Sequence, residues 1–358
     1  MSRFSILLAL LFLSDHLIAQ ELSAFTDKLN YFIIFDKGAL SKQEHLPIQS
    51  FKVGNQQIAW IDNSGQFKVY HNGRTETLVD YAPKKYILTE NLLVYLVGDH
   101  LKVIENGKKT TLATWIKDAW VWGDSVVAFI THNDLFVVYQ DGEMNELEQI
   151  RIKQFAAGRN IVAYIDNSNV FKVFDHGEIM ELDSYRPKNF KIGLNTVAFV
   201  DDYGYFKIYN KGEIYETDFY TPTVFRVSDN MVAFIDDFGK FNVFYNGEIT
   251  KLANDRPKSF EMVDNILVYV DQNDYFNVFH EGHTQIIERY SPNEYKIDRD
   301  VVAYTDIDGR LKAYYQGEVR EISENIIDNF NVNGSVIMYQ YNNRQTKLFY
   351  MGKIYNHF

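Results

Sequence analysis

The feature that most constrains the fold is an internal repeat of 35 residues. A glycine that follows a short strand-like run recurs in phase along the chain, and eight of its nine intervals are 35 residues while the other is 34. The ten glycines are Gly38, Gly73, Gly107, Gly142, Gly177, Gly212, Gly247, Gly282, Gly317 and Gly352. A period of this length is typical of solenoids and propellers, in which each copy is one supersecondary unit.

Each unit predicts four short strands. In the most regular copy, residues 225–259, these fall at residues 225–228, 231–236, 240–245 and 248–252. The second strand is almost wholly apolar, which indicates cover on both faces. The third alternates polar with apolar residues, and Asn246-Gly247 favours a tight type I′ hairpin to the fourth. The fourth is the most polar, as an outer edge strand should be, because charge discourages pairing between molecules.

The connections carry turn residues at fixed places. Asp236-Asp237-Phe238-Gly239 and its equivalents suit a turn in which the carboxylate bonds its own backbone. Asp306-Ile307-Asp308-Gly309 is the best candidate for calcium among them, but calcium needs six or more oxygen ligands and no following loop supplies them, so an Asx turn is favoured. All six prolines precede a first strand, where they cost no ladder hydrogen bond: Pro47, Pro83, Pro187, Pro222, Pro257 and Pro292.

Four antiparallel strands at a fixed period predict an all-β fold, a β-propeller of ten four-stranded blades. A single ten-bladed ring is preferred, and two five-bladed rings or an open ring remain alternatives. The first copy begins at Ala24-Phe25-Thr26-Asp27, so that its inner strand would fall on residues 16–18. A three-stranded first blade is therefore a further alternative.

The blade motif resembles that of a known group. VAFIDDFGKFNVFYNGEITKL at residues 232–252 is similar to the TolB-like and WD-repeat-like blades of bacterial periplasmic proteins, with an apolar strand, an Asp/Gly turn, an aromatic strand and a Gly hairpin. The resemblance extends over all ten copies. It implies the propeller architecture and carries over no site residue.

The N-terminal residues predict a targeting signal. Residues 1–20 contain Arg3, an apolar stretch from Ile6 to Leu13 and a small residue, Ala19, at which a leader peptidase can cut. We expect a signal peptide at 1–20 and a propeller domain at 21–358. The apolar stretch is shorter than the roughly 20 residues that a membrane-spanning helix needs. The expected protein is secreted or periplasmic, with no transmembrane anchor after the leader is removed.

The composition and the motifs of the chain argue against several classes of function. A net charge of −12 argues against nucleic acid as a partner, because phosphate backbones need a basic surface. The absence of cysteine excludes disulfides, thiolate chemistry and lipid attachment at a cysteine. No motif for a nucleophilic serine, a zinc protease, a Walker loop or a dinucleotide is present, so neither a cofactor nor a metal is expected. Histidines such as His71, His176 and His280 are interpreted as surface residues.

Two sets of residues are candidate binding sites. Trp115, Trp120 and Trp122 lie together where the repeat is least regular, and they either stack on a sugar or a partner or, for Trp120 and Trp122, fill core positions. In the inner strands, Lys52, Lys191, Arg226 and Lys296 share one repeat position with Glu261 and Asn331. These cations either line the channel and attract an anion or reach a channel mouth and pair with nearby carboxylates.

The leading hypothesis for function is a non-catalytic binding scaffold for a protein or a glycan in the cell envelope or outside the cell. A glycan hydrolase or lyase that uses carboxylates of the turns is the alternative, although the ten similar turns offer too many candidates to choose a pair. An outer-membrane barrel is a weaker alternative, because the strands of five to seven residues are shorter than the nine to eleven that a span needs.

Overall fold

The computed structural model describes residues 22–116, 120–342 and 345–357, which form ten antiparallel sheets around one central channel. The strands of each sheet follow one another in chain order from the channel outward. Nine sheets have four strands, and the described part of the first has three. The ten-bladed single ring predicted from the repeat is confirmed. Residues 16–18, to which the repeat assigns the inner strand of the first blade, lie outside the described residues. Residues 1–20, the predicted signal peptide, lie outside them.

The strands have the following bounds. Blades 1 to 5 contain β1 (Leu22–Thr26), β2 (Phe32–Asp36) and β3 (Ala39–Glu44); β4 (Ser50–Val53), β5 (Gln57–Ile61), β6 (Phe67–His71) and β7 (Arg74–Val79); β8 (Lys85–Leu88), β9 (Leu92–Val97), β10 (His100–Glu105) and β11 (Lys108–Ala113); β12 (Val121–Trp122), β13 (Val126–Ile130), β14 (Phe136–Gln140) and β15 (Glu143–Glu148); β16 (Gln154–Ala157), β17 (Ile161–Ile165), β18 (Phe171–Asp175) and β19 (Glu178–Asp183). Blades 6 to 10 contain β20 (Asn189–Ile192), β21 (Thr196–Val200), β22 (Tyr205–Asn210) and β23 (Glu213–Tyr220); β24 (Val224–Ser228), β25 (Met231–Ile235), β26 (Phe241–Tyr245) and β27 (Glu248–Ala253); β28 (Ser259–Val263), β29 (Ile266–Val270), β30 (Phe276–His280) and β31 (His283–Glu288); β32 (Glu294–Asp298), β33 (Val301–Thr305), β34 (Arg310–Tyr315) and β35 (Glu318–Ile326); β36 (Asn329–Asn333), β37 (Val336–Tyr341), β38 (Gln345–Tyr350) and β39 (Lys353–His357).

In most blades the second strand of the repeat is the most deeply buried. Every residue of β13, β17, β21, β25, β29 and β33 is buried, because each of these strands lies between two neighbouring strands and two neighbouring blades. This explains why the sequence there is continuously apolar rather than alternating. In blade 7, which contains the most regular copy of the repeat, the predicted strand bounds differ from the observed ones by no more than one residue at either end.

A β-bulge recurs at the start of the third strand. In blade 7 the pairing of β26 with β27 shifts between Phe241 and Asn242. The same shift recurs in the other blades from 1 to 9. A bulge increases the local twist of a strand pair. In blades 1 to 9 the bulge therefore adds twist between the two outer strands, a feature that the repeat pattern does not reveal.

Aromatic side chains join consecutive blades. The ring of Phe241 in blade 7 lies 5.0 Å from that of Phe260 and 5.3 Å from that of Tyr269, both in blade 8. The same arrangement joins Phe67 to Tyr86 and Tyr95, Phe136 to Phe155 and Tyr164, Phe171 to Phe190 and Phe199, Phe206 to Phe225 and Phe234, and Phe276 to Tyr295 and Tyr304. Each such ring pair adds about 0.5–1.5 kcal/mol beyond the burial of its area.

The turn aspartates are structural. Oδ1 of Asp236 accepts backbone hydrogen bonds from Phe238 at 3.0 Å and from Lys240 at 2.8 Å, so this is the predicted Asx turn. Several of these aspartates also hold a lysine of the third strand. Lys68 lies 2.7 Å from Asp62 and 2.8 Å from a carboxylate of the preceding blade. Comparable ion pairs join Lys172, Lys207 and Lys312 to Asp166, Asp201 and Asp306.

The ring closes between blades 10 and 1 through side chains. Phe35 lies 5.6 Å from the ring of Tyr350 and 5.2 Å from that of Tyr355. On the inner side, Asn333 donates a hydrogen bond of 3.1 Å to Ser23. Val336 and Leu348 complete a shared apolar cluster. Among the described residues, closure thus depends on packing and hydrogen bonds between two separate sheets rather than on one sheet built from both chain ends.

Candidate functional site at the central channel

The innermost strands carry the four predicted cations, which we name the basic belt: Lys52, Lys191, Arg226 and Lys296. Each head group lies over an aromatic ring of the next blade. The distances to the ring centroids are 5.7 Å for Lys52 and Tyr86, 5.2 Å for Lys191 and Phe225, 5.0 Å for Arg226 and Phe260, and 5.0 Å for Lys296 and Phe330. These separations allow a cation–π interaction.

Two of these lysines are also hydrogen-bonded to the backbone. Lys191 donates to the carbonyl oxygen of Phe225 at 2.7 Å, and Lys296 donates to that of Phe330 at 2.5 Å. Burial, and then the charge of Arg226, lower the pKa of Lys191. The partners of the basic belt are therefore mainly rings and carbonyl groups of the next blade, with Glu294 beside Lys296 at 3.4 Å as the carboxylate partner. The sequence had suggested turn carboxylates for this role.

The three predicted tryptophans occupy different surroundings. Trp120 is buried and packs in the apolar cluster shared by blades 3 and 4. Its ring lies 5.2 Å from that of the half-buried Trp122, and the ammonium group of Lys85 lies over both rings. Trp115 is exposed in the connection that follows β11. Trp120 thus fills a core position, and only Trp115 presents its ring openly to solvent.

Charged residues of the turns after the inner strands converge at one end of the channel. We name this set the acidic mouth: Glu90, Asp124, Asp229, Asp264 and Asp298 with Arg159 and Arg299. Six of these seven occupy the same position of the repeat, directly after the inner strand or one residue beyond it, and Asp298 precedes Arg299. The sequence signal for the acidic mouth is the recurrence of charge at this repeat position.

Arg159 is the centre of the acidic mouth. Its guanidinium group lies 2.7 Å from Glu90 and 2.5 Å from Asp264, and it also contacts Asp124 and Asp229. Arg299 contacts the other oxygen of Glu90 at 3.0 Å. One side chain of blade 5 therefore joins carboxylates of blades 3, 4, 7 and 8 across the end of the channel.

Glycine allows the blades to approach closely enough for these contacts. Gly123, Gly158 and Gly193 end the inner strands of blades 4, 5 and 6, and a Cβ on any of them would lie under 3.0 Å from a carbonyl oxygen of the next blade. The same approach produces backbone hydrogen bonds between blades, such as Ser125 to the oxygen of Arg159 at 2.9 Å. The close approach of the inner strands of these blades thus depends on the absence of a side chain at the three glycines.

The carboxylates of the acidic mouth have unusual electrostatics. Burial raises the pKa of Asp229 to about 6 and that of Asp264 to about 7, against the opposing effect of Arg159. Burial also raises the pKa of Asp298. For Arg159, burial favours the neutral form, but the surrounding carboxylates outweigh it and keep the pKa above its usual value. The raised pKa values of these carboxyl groups follow mainly from their burial, which disfavours the ionised form.

A cavity of about 370 Å³ opens at the acidic mouth. Asp124, Asp229 and Asp264 line it together with apolar side chains of the inner strands, among them Trp122 and Val227. A volume of this size, with apolar walls and a few polar groups, is typical of small-molecule sites. Among residues 22–116, 120–342 and 345–357, no group of three or more His, Asp or Glu side chains has an arrangement that holds a metal ion.

The opposite face of the ring carries the Asp turns and a group of exposed aromatic residues. We name this group the aromatic patch: Tyr203, Tyr205, Tyr220 and Phe238. The rings of Tyr205 and Tyr220 are stacked, with centroids 5.0 Å apart and planes 27° apart. Tyr203 and Phe238 occupy the same turn position in blades 6 and 7 and are 75% and 76% exposed. The lengthened strand β23 brings Tyr220 opposite Tyr205.

A family model described as a 10-bladed beta propeller domain matches residues 16–355. The chain belongs to this family. The match begins within the segment predicted as a signal peptide and includes all ten blades. No curated protein matches the chain. The described part of this propeller contains no helix with the length and apolar character needed to cross a bilayer.

Several solved structures are similar to the chain at low identity. The computationally designed Ika8 protein is 16% identical with a TM-score of 0.37, over 83% of this chain and 99% of that one. The CRINKLY WD40 ectodomain of the Arabidopsis thaliana receptor kinase ACR4 is 7% identical with a TM-score of 0.33, over 65% and 97%. BamB from Moraxella catarrhalis is 10% identical with a TM-score of 0.30, over 72% and 92%.

Proposed function

We propose that the protein is a secreted or periplasmic binding scaffold that holds a protein or a glycan on one face of its propeller and does not transform it. The observation that carries the proposal is the aromatic patch on blades 6 and 7. Repeat proteins bind through surfaces assembled from neighbouring units, and tyrosine is enriched among residues that dominate binding energy.

The patch is suited to binding because its rings are exposed and two of them are held in place. Tyr205 and Tyr220 stack on each other, so that little side-chain freedom remains to be lost when a ligand docks. Tyr203 and Phe238 extend the apolar area over two consecutive blades. Aromatic rings of this kind pack against the apolar face of a sugar or against a side chain of a partner protein.

The predicted leader and the TolB-like appearance of the blade motif support a location in the cell envelope or outside the cell.

The bonding of the turn carboxylates supports a role other than hydrolysis. Oδ1 of Asp236 accepts two backbone hydrogen bonds from its own turn, and the carboxylate of Asp62 forms an ion pair with Lys68. Neither carboxylate is therefore free to act as a general acid or base. Burial alone would raise the pKa of Asp62, but hydrogen bonds from Lys68 and Ser64 outweigh it and keep this pKa low.

Binding to an array of glycans and to separated envelope proteins tests the proposal. The variant with Tyr203→Ala and Phe238→Ala removes two exposed rings, and Tyr81→Ala is the matched control, an exposed tyrosine on the same face between blades 2 and 3. A ligand that binds the protein and the control equally but the double variant about tenfold more weakly supports the patch as its site.

Two results overturn the proposal. Equal binding by the double variant and the control excludes the patch, and release of a cleaved product from a bound glycan excludes a purely binding role. Because both exposed rings lie at turn tips, the double variant should keep the melting temperature of the unaltered protein.

A further inference from the structure

We propose that the acidic mouth binds a small organic cation, with a protonated amine or a guanidinium group as its head. This site lies at the end of the channel opposite the aromatic patch, and the proposal is independent of the binding function described above. It is carried by the charge of the cavity, by an unsatisfied carboxylate oxygen and by the apolar walls.

The charges of the acidic mouth do not balance. Five carboxylates face two guanidinium groups, and Arg159 already contacts four of the five. Arg299 contacts Glu90, which Arg159 also contacts. Several positive charges are therefore missing when all the carboxylates are ionised. A cation that enters the cavity between Asp229 and Asp264 would supply one of them.

One oxygen of Asp229 has no hydrogen-bond partner among the described residues. Oδ2 of Asp229 contacts Arg159, whereas Oδ1 is buried and accepts no bond from residues 22–116, 120–342 or 345–357. The side chain is only 6% exposed and lines the cavity. A buried acceptor without a donor is destabilising, and more so when it is charged. An ammonium or guanidinium N–H donor satisfies it.

The walls favour an organic cation over a hydrated metal ion. Trp122, Val227, Ile192 and Met262 line the cavity beside the carboxylates. These side chains offer contact to a short alkyl chain, whereas a calcium ion needs oxygen ligands on all sides. The cavity of about 370 Å³ is also far larger than a single ion. Arg159 itself shows that a planar cation with an alkyl stem fits this set of carboxylates.

Binding should be coupled to proton release. Asp229 faces Arg159, Asp124 and Glu90, and Asp264 faces Arg159, Asp229, Glu90 and Asp298. An added positive charge favours the ionised forms of Asp229 and Asp264 and lowers their raised pKa values. The cation should therefore displace protons between about pH 5 and pH 7, and affinity should increase with pH over this range.

Isothermal titration of the purified protein with agmatine, which carries one amine and one guanidinium group, tests the site. We expect saturable binding at pH 8, weaker binding at pH 5 and, near pH 6.5, a heat that depends on the ionisation enthalpy of the buffer. Asp229→Asn keeps the shape and removes the charge, so it should weaken binding by about tenfold or more. Asp237→Asn, an exposed aspartate on the opposite face, is the matched control and should leave binding unchanged.

Further titrants separate the sources of the cation. Agmatine binding that Asp229→Asn weakens establishes a small-molecule site. Binding of a capped peptide only when its lysine is unacetylated, with the same sensitivity to Asp229→Asn, assigns the head group to a partner protein. The proposal is overturned if neither titrant binds, if calcium binds and agmatine does not, or if Asp229→Asn and Asp237→Asn bind alike. If Asp229→Asn does not fold, the release of protons when agmatine binds to the unaltered protein, measured from the buffer dependence of the heat near pH 6.5, tests the proposal instead.

Discussion

The guanidinium group of Arg159 lies 2.5 Å from the carboxylate of Asp264, three blades and 105 residues away. In most of this molecule a blade contacts only its two neighbours. Arg159 is an exception, because it joins blade 5 to blades 3, 7 and 8 across the end of the channel. The acidic mouth therefore adds long-range contacts to a fold that otherwise depends on local ones.

Replacing Arg159 should destabilise the ring. Arg159→Met keeps the alkyl stem but leaves Asp124, Asp229 and Asp264 without their shared cation, and loss of one partner of a buried ion pair costs about 3–5 kcal/mol. We expect a lower midpoint of chemical denaturation at pH 8 and a smaller loss at pH 5, where protonation removes part of the repulsion. Equal losses at both values would contradict this account.

The raised pKa values predict an unusual pH dependence. A carboxyl group whose pKa is higher in the folded state than the unfolded value of 3.8 stabilises the fold at low pH, and this contribution is lost as pH rises through the folded pKa. For Asp229 and Asp264 the loss falls between about pH 4 and pH 7. Relative to the variant with Asp229→Asn and Asp264→Asn, the protein should lose about 4 kcal/mol between pH 5 and pH 8. Denaturation of both at several pH values measures this, and a constant difference would refute it.

Two phenylalanines of blade 7 should respond very differently to truncation. Phe241 is fully buried between blades, and Phe241→Ala should cost about 3–5 kcal/mol because it leaves a cavity. Phe238, three residues earlier, is exposed at a turn tip, and Phe238→Ala should change stability by less than about 0.5 kcal/mol. Denaturant midpoints of the two variants give the comparison, with the unaltered protein as reference.

Gly158, at the end of the channel that carries the acidic mouth, should tolerate no side chain. A Cβ on Gly158 would collide with the carbonyl group of Gly193, which is backbone and cannot rotate away. Gly158→Ala should therefore cost more than about 2 kcal/mol by overpacking. Gly142, in a hairpin with a φ of +84° and nothing within 4 Å of the added Cβ, is the control, where the substitution should cost about 1 kcal/mol from backbone strain alone. Similar melting temperatures for both variants would show that the blades can separate without penalty.

Processing of the N-terminus should follow the predicted leader. We expect intact-mass measurement of the exported protein to show cleavage next to Ala19, so that the mature chain begins at Gln20 or Glu21. Retention of residues 1–19 would contradict the prediction of a signal peptide. It would also keep residues 16–18, which the repeat register assigns to the inner strand of the first blade.

The repeat was sufficient to predict the blades because each strand has its own chemical character. The apolar second strand at Met231–Ile235, the Asx turn at Asp236 and the hairpin at Asn246-Gly247 all follow from local sequence. The single ring was a preference among alternatives, because its closure depends on contacts between residues about 320 positions apart, such as Phe35 and Tyr355.

The candidate site was harder to predict from the sequence. The basic belt was identified as a set of cations at one repeat position, but the rings of the next blade that hold them became visible only in the structure. The role of Arg159 was not predicted because it depends on four carboxylates that lie up to 105 residues away in the chain. The aromatic patch was missed because Tyr205 and Tyr220 meet only through the lengthened fourth strand of blade 6.

The boundary between blades 10 and 1, the seam of the ring, determines which orders of the blades along the chain can form the same ring. Phe25 and His357 are in ring contact at 5.3 Å, so the two ends of the described chain meet at the same blade boundary. Circular permutation should therefore preserve the ring. A chain that is joined across this seam by a short linker and opened at the hairpin Asn246-Gly247 would keep every blade boundary described here, with blade 7 now assembled from both ends.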